Sequence, residues 1–164
     1  MGAITMVLIT SLKNNLSKDY PQFLFEQSDS FYWDPVQKTI YYRNSNLSTD
    51  KLSLIHELSH GILNHNFYDR DIQLIEMERD AWELAVKLAK HYKVTLDTEF
   101  IESSLDTYRD WLHSRSICPR CGSTGVQTNA RTYNCPSCGS IWRSNEARTC
   151  QLRRYIVKNK TPLL

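Results

Sequence analysis

Two pairs of cysteines, each spaced Cys-x-x-Cys, constrain the C-terminal part of this chain more than any other feature. They are Cys118 with Cys121 and, after 13 intervening residues, Cys135 with Cys138. Each pair makes a tight turn, and four thiolates complete a closed tetrahedral zinc site. Because a module of this size cannot fold on hydrophobic burial alone, the metal would be part of its stability. The sequence therefore predicts a zinc ribbon with one structural Zn²⁺ over residues 114–164.

Two disulfides are the alternative for these four cysteines, and other features of the sequence argue against them. Disulfide frameworks belong to exported proteins with paired cysteines. This sequence has a fifth cysteine, Cys150, and no recognisable secretory signal. We expect Cys150 to be an unliganded thiol, and the reduced cysteines predict a cytoplasmic protein. No apolar run approaches the length of a membrane span, so we expect no membrane partner.

A second metal motif is the segment HELSH, which runs from His56 to His60. On an α-helix, residues four apart lie on one face, so His56 and His60 can hold one metal ion from the same side. Glu57 lies about 60° from His60 around the helix axis, close enough to contact a metal-bound water without being a ligand. Zinc lowers the pKa of such a water towards about 7, and Glu57 would take its proton. The pattern is typical of a zinc peptidase, with a catalytic Zn²⁺ and Glu57 as the base.

A catalytic zinc needs a third protein ligand, and the sequence offers three candidates. His65 lies about 140° from the second motif histidine on an unbroken helix, so it could join the site only if the helix breaks. Residues 73–92 predict an amphipathic helix with Asp71 as its cap, and its first half carries Glu76 and Glu78. A turn between the two helices would bring Glu78 beside the histidines as the third ligand, with Glu76 as its rival.

Together, these two segments resemble the ImmA/IrrE family of gluzincin-like metallopeptidases. In that family an HExxH helix precedes a helix with the pattern Glu-x-x-Ala-(Asn/Asp)-x-(large apolar)-Ala, and here HELSHGILNH is followed by ERDAWELA. Glu78, Ala81, Leu84 and Ala85 fall on the glutamate, first alanine, apolar and second alanine positions. The resemblance covers about residues 1–92. It implies that the motif histidines and Glu78 bind the catalytic zinc and that the motif glutamate is the general base.

One position departs from the family pattern. Where the family has Asn or Asp, on the same face as the ligand glutamate, this chain has Trp82. An indole N–H only donates, so Trp82 cannot accept the ring N–H of a ligand histidine. A backbone carbonyl or another carboxylate would have to orient the histidines, or the site would be weakened. The candidates for stabilising an oxyanion are His91, His113, Tyr68 and Tyr108.

The residues before the motif predict one helix and three short strands. The helix has an apolar face made by Ile4, Val7, Leu8, Leu12 and Leu16. Strands are predicted at residues 23–26, 31–33 and 39–42, with a hairpin turn at residues 34–37. A closing helix is predicted at residues 97–113. The fold class is therefore α+β: a small zincin-like domain over residues 1–113, in which helices pack on a short antiparallel sheet, plus the ribbon.

The strand just before the motif helix is a candidate for binding the substrate. In zinc peptidases of similar layout, an edge strand at this place aligns the substrate by main-chain pairing. The alternative is a half-buried strand whose tyrosines, Tyr41 and Tyr42, pack on the helices. Residues 114–117 are the one evident linker between the two predicted domains.

Charge is divided unevenly along the chain. Residues 1–113 contain 11 Lys/Arg and 17 Asp/Glu, whereas residues 114–164 contain 9 Lys/Arg and a single acid, Glu146, leaving net charges of −6 and +8. Arginine suits phosphate contacts, and aromatic rings can stack on bases. The basic module is thus predicted to bind DNA, in particular single-stranded DNA; the alternative is docking on the acidic protease domain of the same chain or on another acidic protein. The predicted contacts are Arg120, Arg131, Arg143 and Arg148, with Tyr133, Trp142 and Tyr155 available for stacking.

Three functions fit these features. The first is a zinc endopeptidase that cleaves a protein partner, with a repressor-like substrate implied by the ImmA/IrrE resemblance and a ribbon that recruits to or senses DNA. The second is a SprT-like DNA–protein-crosslink protease, which also joins HExxH to a zinc ribbon but normally uses a downstream histidine as its third ligand. The third is a non-catalytic zinc-binding module that recognises DNA or protein.

Overall fold

The chain divides into two compact units. The computed structural model describes residues 8–157, so the predicted helix residues Ile4 and Val7 lie outside the described residues. The first unit contains the described residues up to Phe67 together with Glu76–Ser103. The second contains Tyr68–Ile75 and the residues from Ser104 onwards. The histidine motif therefore belongs to the first unit and the four paired cysteines belong to the second.

The first unit combines helices with a three-stranded sheet, and the α+β class is confirmed. Among residues 8–157, no helix has the length and apolar content needed to cross a bilayer. Two helices, α3 and α4, contribute residues to both units. In chain order the elements up to residue 116 are α1 (Ile9–Asp19), β1 (Leu24–Gln27), β2 (Tyr32–Asp34), β3 (Thr39–Tyr42), α2 (Ser48–Ile62), α3 (Asp71–His91) and α4 (Thr98–Ser116).

The sheet is mixed, so the prediction of a purely antiparallel sheet is wrong. β3 lies between β1 and β2; it is antiparallel to β2 and parallel to β1. The β2–β3 hairpin forms as predicted, and Asp34 Oδ1 closes its turn by accepting the backbone N–H groups of Val36 at 2.9 Å and Gln37 at 3.0 Å. Local turn chemistry specifies such a hairpin. It does not specify on which side of β3, or in which direction, β1 pairs.

The central position of β3 also overturns its prediction as a substrate-aligning edge strand. The backbone groups on both sides of β3 are already paired with β1 and β2. Thr39 and Ile40 are buried, Tyr41 and Tyr42 are half-buried, and α2 packs against the strand. The strand is half-buried and packed on a helix, as the alternative predicted, but the Tyr41 ring stacks on Tyr32 of β2, with centroids 4.3 Å apart. The open edges of the sheet belong to β1 and β2.

The core of the first unit comes from apolar faces at helical spacing. α2 is buried on most of its circumference, which holds the histidine motif in a rigid, packed element. Gly61, near its end, is in close contact with the sheet: a side-chain carbon there would lie 3.3 Å from the rings of Phe23 and Trp33. The fully buried apolar residues are Ile9, Leu12 and Leu16 of α1, Ile40 of β3, Leu52, Leu54, Ile55 and Leu58 of α2, and Ala81, Ala85 and Ala89 of α3.

The second unit contains a four-stranded antiparallel sheet in the order β4-β5-β6-β7. Its core holds Tyr133 and Trp142, whose rings stack with centroids 5.4 Å apart. Gly125 lies against this core, and a side-chain carbon at that position would come 2.1 Å from Trp142 Cη2, so only glycine fits. The strands are β4 (Val126–Asn129), β5 (Thr132–Asn134), β6 (Ile141–Ser144) and β7 (Arg154–Ile156).

The linker predicted at residues 114–117 is wrong, because α4 continues to Ser116. Arg115, in its last turn, is buried and donates to Asp71 Oδ2 at 2.6 Å. The Tyr133 hydroxyl donates to the same carboxylate. Asp71 therefore contributes a buried ion pair, whereas the sequence predicted it as a helix cap. Composition alone does not reveal that a charged residue between two predicted domains has a buried partner.

Candidate metal centres and basic surface

The two motif histidines and Glu78 converge within the first unit. His56, His60 and Glu78 are only 5–7% exposed. The Nε2 atoms of the two histidines are 3.1 Å apart, and Glu78 Oε2 lies 3.1 Å from His56 Nε2 and 3.6 Å from His60 Nε2. Atoms bound tetrahedrally to zinc at about 2.0–2.1 Å would lie about 3.3 Å from one another. The three residues therefore form a group that can hold a metal ion.

Electrostatics keep Glu78 in the state that a metal ligand requires. Burial by itself raises the pKa of this carboxyl, but contacts with His56 and His60 outweigh burial and hold its pKa well below the usual range. Glu78 is therefore an anion at neutral pH. Glu76, its rival two residues earlier, is exposed and is not part of the group. Because residues two apart face different sides of a helix, only one of the two can point at the histidines.

Glu57 lies beside His56, His60 and Glu78 without belonging to the group that can hold a metal ion. Burial raises the pKa of its carboxyl, while the charges of His56 and His60 lower it; burial prevails. The backbone of Trp33, on β2, also interacts with this carboxyl and lowers its pKa. A raised pKa brings a carboxylate closer to the proton affinity that a general base needs at neutral pH. The contact with Trp33 was not predicted, since nothing local in the sequence links a strand residue to the motif.

His65 lies behind the metal group instead of within it. α2 ends at Ile62, and Asn64 adopts a left-handed backbone with φ of 54°, which redirects the chain. His65 Nδ1 then lies 2.9 Å from His60 Nδ1, on the side of that ring away from the ligand nitrogen. The His65 carbonyl also accepts the indole N–H of Trp33 at 2.9 Å. A histidine with Nδ1 held in this way presents Nε2 to a metal in a fixed orientation.

Trp82, the position that departs from the family pattern, packs flat on one ligand. Its ring stacks on His56 with centroids 4.0 Å apart at 21°, and Phe100 meets its other side edge-on at 5.9 Å. Within the described part of the chain, Trp82 Nε1 and His56 Nδ1 are buried and have no hydrogen-bond partner. The His56 ring is therefore packed by stacking, and no carbonyl or carboxylate among the described residues accepts its Nδ1–H, which corresponds to the weakened site that the sequence left as the other outcome.

The candidates for oxyanion stabilisation are distributed over both units. His91 is 13 residues beyond Glu78 on the same helix, or about 20 Å along its axis, which excludes it from the metal group. Tyr68, Tyr108 and His113 belong to the second unit. Tyr108 there stacks under Arg148.

The four paired cysteines form the second metal group. Cys118 Sγ lies 3.7 Å from Cys138 Sγ, and Cys121 Sγ lies 3.5 Å from Cys135 Sγ. Thiolates bound tetrahedrally to zinc at about 2.3 Å would lie about 3.8 Å apart. The sulfur positions therefore fit a closed four-thiolate site, and the fifth cysteine, Cys150, lies outside the group.

Both cysteine pairs are held by the same backbone pattern. The N–H of Cys118 donates to Ser123 O and the N–H of Gly122 donates to Cys118 O, at 2.8 and 3.0 Å. In the second pair, the N–H of Cys135 likewise donates to Ser140 O, and the N–H of Gly139 donates to Cys135 O. The two glycines have φ of 76° and 70°, a conformation that costs glycine little and other residues more. The recurring Cys-Gly-Ser sequence thus has a geometric cause.

The predicted nucleic-acid contacts differ in what their side chains already bind. Arg120 is exposed between the two cysteines of the first pair, Arg131 is exposed in the turn between β4 and β5, and Arg143 is exposed on β6. The Arg148 guanidinium lies 3.7 Å from the centroid of the Tyr108 ring. Two predicted stacking residues, Tyr133 and Trp142, are wrong for that role, because both are at most 1% exposed in the core. Tyr155 is 57% exposed, so its ring is still available for stacking.

Comparison with known proteins gives no further guide to identity: no protein-family model, curated protein or solved structure matches this chain.

Proposed function

We propose that this protein is a zinc-dependent endopeptidase that cleaves a protein partner. The observation that carries the proposal is the convergence of His56, His60 and Glu78 with Glu57 beside them. Two neutral imidazoles and one carboxylate suit zinc, and three protein ligands leave a coordination position for water or substrate. Such an open site is characteristic of catalytic rather than structural zinc.

The residues around the group have separate roles in this proposal. His56, His60 and Glu78 would hold the ion, which when bound supplies a Lewis acid that activates water and polarises a peptide carbonyl. Glu57 accepts the proton of the attacking water, and its raised pKa lets it later give that proton to the leaving amine. The backbone of Trp33 also interacts with the Glu57 carboxyl and moderates its raised pKa.

We further propose that the basic second unit recruits the protease to DNA, and that the substrate is a repressor-like regulator. The support for recruitment is the net charge of +8 over residues 114–164. Phosphate contacts by such a module supply sequence-independent affinity that falls with salt. The substrate class comes from the ImmA/IrrE resemblance alone.

A non-catalytic zinc-binding module is the second candidate, and one observation favours it. The buried Nδ1 atom of His56 has no partner in the described residues. Partners of that nitrogen raise ligand basicity, and losing them typically costs 10–100-fold in metal affinity or activity. The SprT-like alternative has less support, because it needs a downstream histidine as third ligand and Glu78 stands in that place.

Glu57→Gln provides the test, since it removes the base and leaves the ligands. Zinc content and thermal unfolding should match the wild type. Proteins that co-purify with the variant should be identified by mass spectrometry and then incubated with wild-type protein, and at least one should be cleaved. Glu76→Gln, an exposed glutamate on α3, is the matched control and should keep activity. Zinc-loaded wild type that cleaves none of the captured proteins would favour the non-catalytic module.

A further inference from the structure

An open cavity of about 320 Å³ lies on the sheet of the second unit, away from the four cysteines. Its lining residues are Arg131, Arg143, Ser144, Asn145 and Tyr155. The volume falls at the lower end of the range for small-ligand sites, roughly 300–1,000 Å³. Two arginines and an exposed aromatic ring around one cavity make it a candidate anion site with a stacking surface.

Strand register explains why Arg143 and Tyr155 are on the open face. Thr132 pairs with Arg143, and Arg143 pairs with Tyr155, across β5, β6 and β7. Directly paired residues project from the same face of a sheet, and their sequence neighbours project from the other. Those neighbours include Tyr133 and Trp142, which form the core. One face of the sheet therefore builds the interior and the other presents Arg143 beside Tyr155.

Among residues 8–157, the side chains of Arg131 and Arg143 form no ion pair, unlike that of Arg115. Arg115 is bound to Asp71, Arg148 covers Tyr108, and Arg154 donates to Ile117 O at 2.6 Å. By contrast, neither Arg131 nor Arg143 has a carboxylate partner in the described part of the chain. The backbone of Arg131 is nevertheless fixed, since its carbonyl accepts the N–H of Ser144 at 2.8 Å. The cavity lining thus contains two guanidinium groups, and no carboxylate of the described residues neutralises them.

The other polar residues of the cavity are already satisfied. Asn145 donates its side-chain N–H groups to Gln151 O at 2.9 Å and to Cys150 Sγ at 3.2 Å, and it accepts the N–H of Arg153 at 2.8 Å. Ser144 is 2% exposed. The cavity therefore offers positive charge and an aromatic face, but no free amide to distinguish one base from another.

We propose that this cavity binds one nucleotide unit of a single-stranded nucleic acid, with the base stacked on Tyr155 and the flanking phosphates on Arg131 and Arg143. The inference rests on the proposed nucleic-acid binding by the second unit and specifies its contact point. Stacking on an aromatic ring is tolerant of base identity, which fits the absence of a free amide. A duplex cannot use this contact, because its bases already stack on one another and do not reach Tyr155.

The test measures binding of fluorescein-labelled oligo-dT, a duplex of equal length and an abasic deoxyribose-phosphate strand by anisotropy, using the full chain with Glu57→Gln. Tyr155→Leu should weaken oligo-dT binding about tenfold, the scale of one stacked base. The same variant should leave duplex and abasic binding unchanged. Arg131→Gln and Arg143→Gln should weaken binding of all three ligands and lower the salt slope by about one each. Tyr155→Phe should bind as the parent does, and so should Lys87→Gln, which removes an exposed charge from the first unit.

The outcomes distinguish failure of the cavity as a nucleotide site from failure of nucleic-acid recruitment by the second unit. Zinc content and thermal unfolding of each variant establish that the fold is kept, and recovery in Tyr155→Phe excludes a structural effect of the ring. If Tyr155→Leu binds oligo-dT as the parent does, or loses oligo-dT and duplex equally, the stacking site is wrong while nucleic-acid recruitment stands. If the parent binds none of the three ligands, recruitment by the second unit fails together with the cavity.

Discussion

His65 Nδ1 lies 2.9 Å from His60 Nδ1, so one histidine of the HELSH segment is hydrogen-bonded to a histidine five residues later. If His60 uses Nε2 for a metal, its Nδ1 carries the proton and His65 accepts it. Burial and the neighbouring His60 charge lower the pKa of His65, which keeps its ring neutral and able to accept at neutral pH. His65 therefore supports the metal group without being a ligand.

Replacing His65 should weaken the catalytic zinc without removing it. We expect His65→Ala to lower zinc affinity at this site by about 10–100-fold, the usual effect of losing a partner of a ligand histidine. Competition with a calibrated chelator measures this affinity. His91→Ala, a histidine at the far end of α3, should behave as wild type. Stoichiometric loss of zinc in His65→Ala would instead mean that His65 is a ligand.

Glu78→Ala should remove the zinc held by the histidines, because three protein ligands become two. Glu76→Ala should retain it, since that side chain is exposed and outside the metal group. Elemental analysis of both purified variants gives the comparison. Equal zinc content in the two would contradict the assignment of the third ligand.

Two zinc ions per chain are expected in freshly purified protein. His56→Ala and Cys135→Ser should each remove one ion, from different sites. During chelation the ion released first should be the one held by the histidines, because the four-thiolate site is closed. Tryptophan fluorescence should change with each ion, since Trp82 stacks on His56 and Trp142 lies in the core beside Cys118 and Cys135. A single ion in the wild type would exclude one of the sites.

The buried ion pair between Asp71 and Arg115 should matter far more than an exposed one. Both side chains are at most 3% exposed. Arg115→Ala leaves the Asp71 charge buried, with Tyr133 and Gln127 as its remaining side-chain partners among the described residues, and we expect a loss of about 3–5 kcal/mol in the free energy of unfolding. Arg79→Ala breaks an exposed pair with Asp80 and should leave chemical denaturation unchanged. Similar midpoints for both variants would contradict a structural role for the buried pair.

Local spacing accounts for what could be predicted about the metal groups. His56 and His60 are neighbours because they lie four residues apart on a helix, and Cys118 and Cys121 are neighbours because they lie three apart in a tight turn. These short-range relations hold wherever the element itself is placed. The prediction of Glu78 needed the further step that two helices pack side by side. The hairpin of β2 and β3 was likewise accessible from its turn residues.

Several contacts could not be predicted from the sequence because they join residues that are far apart along the chain. The parallel pairing of β1 with β3, the contact of Trp33 with Glu57, and the Asp71–Arg115 pair each join residues that are 15 or more positions apart. The burial of the aromatic residues in the second unit could not be predicted for the same reason. Tyr133, Trp142 and Tyr155 are equivalent as sequence, and only strand register separates the buried two from the exposed one.

The sequence by itself determined which residues can act as metal ligands, because ligand chemistry and short-range spacing belong to the residues and to the local backbone. The tertiary structure decided how each ligand is supported: His65 behind His60, Trp82 against His56, and a sheet face that leaves Tyr155 open. These contacts depend on which distant surfaces pack together. Packing is settled by burial and complementarity over the whole chain, which no short stretch of sequence encodes.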